Sequence, residues 1–185
     1  MPTKDFVYAA LFAAIIGVLG MLPPISLGFI PVPITAQTLG VMLAGAFLGK
    51  RIGAVSLLIF IVLVGLGLPL LSGGRGGLSA LVGPSAGYIF SWPIAAFLIG
   101  YFTEKVWGSL KVWKLIIINF IFGVVLVSLI GAPVMALITN TSVIAGLIGA
   151  LAFLPGDLIK AIIASIIVVQ IKKISPIEKE LQKAS

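Results

Sequence analysis

Two stretches without a charged residue, 6–49 and 115–156, constrain this chain more than any other feature. A water-facing surface needs charge, and a soluble domain carries about 25% charged residues. Here 9% are charged and 61% are hydrophobic. A helix crosses the bilayer with about 20 apolar residues, so each charge-free run holds two short passes or one long one. The expected fold class is all-α: a single polytopic membrane domain over 1–185, in the plasma membrane. Lys4 and Asp5 lead into an apolar run that never becomes a polar mature domain, so the N-terminus reads as a span and not as a cleaved signal.

Six transmembrane helices are expected, over about 5–22, 35–49, 53–71, 85–102, 115–139 and 156–173, with a polar tail at 174–185. The four prolines of "LPPISLGFIPVP" forbid helix between the first two spans. Lys50 and Arg51 close the second, and "SGGRGG" stops the third. Asn140–Ser142 breaks the fifth, and the glycine-rich "VIAGLIGALAFLPGD" reads as a short or re-entrant helix before the sixth.

The net charge of +7 would point to nucleic acid in a soluble protein. Here the cations sit at segment ends, where membrane topology and lipid contact account for them, so no nucleic-acid partner is expected. Ten Lys and Arg fall on one side of the six-span topology, whereas Arg75 alone occupies a loop on the other. Cationic loops stay inside, so both termini are expected in the cytoplasm. With no His, no Cys and five scattered carboxylates, paired acid–base, thiol and zinc chemistry lack their residues. A membrane enzyme is disfavoured, and no cofactor is implied.

Three ionisable residues gather toward the outer side: Arg75, Asp157 and Lys160. Asp157 and Lys160 stand three apart in "LPGDLIK" and share a helix face. One reading is a helix cap with a paired or snorkelling lysine. The other is a polar pocket facing inward, because ionisable groups within spans usually mark a pathway or ligand. Around Arg75, glycines such as Gly74 permit close backbone approach, as in an anion seat or a lid, although no nucleotide-binding pattern accompanies them. Gln37, opening the second span, is a ligand contact or a bond to a neighbouring helix. Ser85, Tyr88 and Trp92 begin the fourth span. The two aromatics share a face and form either an interfacial belt or a wall for a ring. Small residues at Ala9/Ala13 and Ala10/Ala14 mark close helix packing or a partner-docking face.

The stretches "PVPITAQTLGVMLAG", "GLPLLSGGRGGLSALVGPSAGY" and "LPGDLIKA" resemble the signature segments of the BioY family. Its members are the biotin-specific S components of energy-coupling factor (ECF) transporters. The likeness extends over nearly the whole chain, in the same order. It implies the six-helix S-component fold and a pocket near the outer face that captures biotin beneath the first loop. It also implies docking on a module of one transmembrane coupling protein and two ATPases, with Ala9 and Ala13 matching the docking face. The S component itself does not hydrolyse ATP. Biotin needs an acceptor for its ureido N–H groups, a donor for its ureido C=O, and a cation for its carboxylate. Asp157 fits the first role, and Gln37, Ser85 or Tyr88 the second. Lys160 or Arg75 fits the third, while Tyr88 and Trp92 can cover the ring. An S component for another small vitamin and a stand-alone biotin carrier are the rival readings.

Overall fold

Gly49 lies inside the longest helix among the described residues, yet its backbone (φ 80°, ψ 176°) is one that essentially only glycine adopts. The structure, a computed structural model, describes residues 2–28 and 30–174. Helix α1 (Thr3–Gly20) leads through the proline-rich loop into α2 (Gln37–Gly65), which reverses at Gly49. A Cβ placed on Gly53 would lie 2.7 Å from the carbonyl oxygen of Ala44. A straight helix would separate those residues by about 13 Å along its axis. The arms 37–48 and 50–65 are therefore an antiparallel hairpin. Glu104 secures its turn: Oε1 accepts from Lys50 N at 2.9 Å, and Oε2 lies 2.8 Å from Lys50 Nζ.

After the glycine-rich loop come the one-turn helix α3 (Leu78–Leu81) and then α4 (Ala86–Lys105). Helices α5 (Val112–Ile118) and α6 (Leu126–Ile138) join through a π-helical stretch, Asn119–Val125. Helix α7 (Val143–Ala150) passes through a 3-10 turn, Leu151–Phe153, into α8 (Leu154–Ile174). Among the described residues there is no strand, only isolated bridges at Ile25/Ile34 and Leu71/Arg75. Five helical stretches are long and apolar enough to cross a membrane, and the second of them, Gln37–Gly65, is the hairpin. The second and third spans expected from the sequence are its two arms.

Two expectations need correction. The third span ends at Gly65 and not near residue 71, because Gly67 (φ 99°) and Pro69 take the chain out of helix. Ala9 and Ala13 are 0% exposed and pack within the bundle, so they offer no surface to a partner. On α1 it is Ala10 and Ala14 that face outward. The tail beyond residue 174 lies outside the described residues.

Helix α4 is the axis of the bundle. A Cβ on Gly45 would meet the Ala96 carbonyl oxygen at 2.6 Å, and one on Gly87 would meet Val134 at 2.5 Å. Small residues let both α2 and α6 approach α4 closely, the usual way helices pack where lipid supplies no hydrophobic drive. Large apolar side chains such as Leu58, Val62, Ile94 and Ile163 point outward, a surface matched to hydrocarbon and not to water. Cations mark one end of the bundle: Lys50 and Lys105 flank the Tyr101 ring at 5.6 and 4.5 Å, and Lys172 Nζ donates to the Trp107 carbonyl at 2.5 Å. The proline-rich and glycine-rich loops and the starts of α4 and α8 meet at the other end.

Candidate ligand-binding site

At that second end lies a cavity that is partly open to its surroundings. Val32–Thr35 of the proline-rich loop form one wall, with α2, α4, α6, α8 and the glycine-rich loop supplying the rest. The loop is held there by its own bridge, Ile25 N to Ile34 O at 3.0 Å and the reverse at 2.9 Å, and by the burial of Ile30 and Val32 in the core.

Asp157 and Lys160 line the cavity one turn apart on α8. Lys160 Nζ donates to Asp157 Oδ1 at 2.6 Å, to Thr35 O at 2.7 Å and to Thr38 Oγ1 at 2.9 Å. An ammonium has three N–H donors, so Lys160 is fully engaged inside the protein. Asp157 Oδ1 also accepts from Thr38 Oγ1 at 3.0 Å, whereas no hydrogen bond among the described residues reaches Oδ2. The lysine satisfies the acid, and both residues line the cavity. With these two charges balanced, Arg75 leaves the cavity lining one positive charge in surplus.

The glycine-rich loop presents Arg75. Leu71 N donates to Arg75 O at 2.9 Å, which closes a tight turn through Gly73 (φ 77°) and Gly74 (φ 70°). L-residues with a Cβ rarely take that conformation. Arg75 Nε is anchored on Ser72 O at 3.1 Å, and Nη1 reaches Ser85 Oγ at 3.5 Å. Its remaining guanidinium donors have no partner among the described residues. Gly74 shapes this turn but does not line the cavity.

Gln37 lines the cavity with its donors engaged elsewhere. Its Nε2 donates to Ile16 O at 3.2 Å and Leu70 O at 3.1 Å, and its Oε1 accepts from Ser72 N at 3.2 Å. The amide ties α1, α2 and the glycine-rich loop together. Tyr88 and Trp92 are buried in the wall of the cavity and are not placed as a belt at the lipid surface. Tyr88 meets Phe153 edge-on at 5.8 Å, and Trp92 packs on Phe60 at 5.9 Å. Tyr88 OH, Trp92 Nε1 and Ser72 Oγ are buried without a hydrogen-bond partner among the described residues. Buried polar groups are nearly always paired, and all three of these unpaired groups belong to residues that line the cavity. Sequence reasoning passes over Thr38, Ser72, Ser128 and Phe153, all of which line the site. The serines and the threonine are small neutral residues in apolar runs, and only their tertiary neighbours distinguish them.

The BioY family model matches residues 1–177 of this chain. The biotin transporter BioY of Rhizobium etli is 46% identical over 172 residues, covering 90% of this chain and 92% of its own. That of Lactococcus lactis is 42% identical, covering 92% and 91%. A crystal structure of the S-component for biotin from an ECF-type ABC transporter superposes with a TM-score of 0.87 at 41% identity, covering 92% of each chain. With a family model spanning nearly its whole length and relatives this similar end to end, the chain belongs to the BioY family.

Proposed function

We propose that this chain is the biotin-capturing membrane subunit of an ECF transporter. It takes biotin from outside and delivers it inward by docking on a coupling module that hydrolyses ATP. The observation that carries this reading is the buried Asp157, which lines the cavity with Oδ2 unpartnered among the described residues while Lys160 balances its charge. A ureido group offers two N–H donors to such an acceptor. Tyr88 OH and Trp92 Nε1 are unpaired donors on residues that line the same cavity and serve the ureido oxygen once the ligand is seated, and their rings with Phe153 cover the thiophane body. Arg75, at the rim with donors to spare, receives the carboxylate; Lys160 has no donor left for it. Ser85 holds the guanidinium toward the cavity, Gln37 holds the loop, and Gly74 gives that loop its turn.

The distribution of Lys and Arg supports reading the basic end as cytoplasmic and the cavity as opening outside. On α1 the outward Ala10 and Ala14 are the small residues available to a coupling protein. Biotin is cargo here and not a resident cofactor, and the chemistry of ATP belongs to the partner subunits. Equilibrium binding of biotin, thiamine and riboflavin to the purified chain tests the ligand, with binding of biotin alone expected. Biotin uptake by cells with and without the ATPase module tests the partnership, and uptake only with the module is expected. Tight binding of another vitamin in place of biotin would overturn the reading.

A further inference from the structure

We infer that Thr38 is a positioning residue for ligand recognition, whose hydroxyl aims the Asp157 carboxylate at the ligand and keeps Lys160 turned away from it. The inference rests on the biotin reading above.

Thr38 lies in the first turn of α2 and meets two residues of α8 that are 119 and 122 positions away in sequence. A hydroxyl has one proton and two lone pairs. Here the proton goes to Asp157 Oδ1 at 3.0 Å, and a lone pair accepts from Lys160 Nζ at 2.9 Å. Both contacts are to charged partners and both lie at the wall of the cavity. A carboxylate turns easily about its last torsion. An ion pair from Lys160, on the same helix, leaves that rotation open. A second bond to the same oxygen, from a different helix, fixes the plane and leaves Oδ2 as the oxygen without a partner among the described residues. The same hydroxyl takes one of the three Lys160 donors, and Thr35 O and Asp157 take the others. The ammonium is thereby kept as a counter-ion to the protein's own acid and has no proton left to offer a ligand anion.

Threonine and valine have nearly the same shape, and threonine and serine share the hydroxyl, so two substitutions separate hydrogen bonding from packing. Biotin affinity is measured by calorimetry on the detergent-purified full chain, as wild type, Thr38→Val and Thr38→Ser. A positioning role predicts that Thr38→Val weakens binding by roughly 10- to 100-fold, the size expected for hydrogen bonds to charged groups. Thr38→Ser should stay within about threefold of wild type, since it keeps both bonds. Valine binding like wild type, or serine as weak as valine, would overturn the role. Should the valine variant not purify in a folded form, Thr38→Ala carries the same comparison with serine. A wild-type chain that binds no biotin would instead sink the underlying reading, a result distinct from any ranking of the variants.

Discussion

Lys160 Nζ lies 2.6 Å from Asp157 Oδ1, three residues back along α8, with only 13% and 11% of the two side chains exposed. Each charge is tolerable there because of the other. Removing one partner strands a buried charge, a change that typically costs about 3–5 kcal/mol, whereas removing both is far milder. Lys160→Met should therefore lower the thermal stability of the detergent-purified chain sharply. Adding Asp157→Asn to it should restore most of the loss, although biotin binding stays absent. A double variant less stable than the single lysine variant would contradict the pairing.

Arg75 is expected to read the charge of the ligand and not its ring. Arg75→Ala should weaken biotin about tenfold, the scale of one charge-assisted contact at a partly exposed site. Binding of the neutral biotin amide should be nearly unchanged by the substitution. The wild-type preference for biotin over the amide should shrink as salt rises, because rim charges are screened. Equal losses for both ligands would assign Arg75 a structural part instead.

Gln37 is expected to act on stability first. Leu70 O and Ser72 N find their hydrogen bonds on its amide. Gln37→Leu leaves them unpaired in the interior, at about 1–3 kcal/mol for each. The variant should melt earlier than wild type and bind biotin more weakly through a loosened Arg75 loop. A variant as stable as wild type with biotin binding abolished would mean the amide contacts the ligand directly.

What the sequence disclosed of this site followed from rarity. Asp157, Lys160 and Arg75 stand out because charge is scarce between the segment ends, and the structure brings all three to one cavity. Tyr88 and Trp92 could be placed on one helix face, but whether that face meets lipid or the cavity depends on α6 and the Phe153 turn. Gln37 was ambiguous for the same reason, since its partners come from α1 and a loop more than 20 residues away in either direction. Ala9/Ala13 and Ala10/Ala14 have identical spacing, so only the packing of α1 on α2 decides which pair is buried. Thr38 gave no signal at all, being one hydroxyl in an apolar helix whose partners lie at the far end of the chain. The spans themselves were legible from charge-free length, with the third overrun past Gly65 because the leucines of 66–71 keep the apolar run going after helix has ended.

Gly49 joins the two arms of α2 and carries a backbone conformation closed to residues with a Cβ. A Cβ there would also fall 2.6 Å from Glu104 Oε1, the atom that bonds Lys50 N. Gly49→Ala should lower stability by about 1–3 kcal/mol. Biotin affinity should be preserved in the fraction that folds, because the turn sits at the end of the bundle away from the cavity. Thermal melting with and without biotin checks both halves, and an alanine variant as stable as wild type would contradict the hairpin.

The proposed capture of biotin turns on Asp157, whose Oδ2 has no partner among the described residues. Calorimetric titration of biotin into the purified chain and into Asp157→Asn tests this most directly. Tight binding by the wild type and a loss of at least about 100-fold in the folded asparagine variant are predicted, since an amide puts a second set of donors or a weaker acceptor where a carboxylate stood. Biotin binding that survives Asp157→Asn undiminished would contradict it.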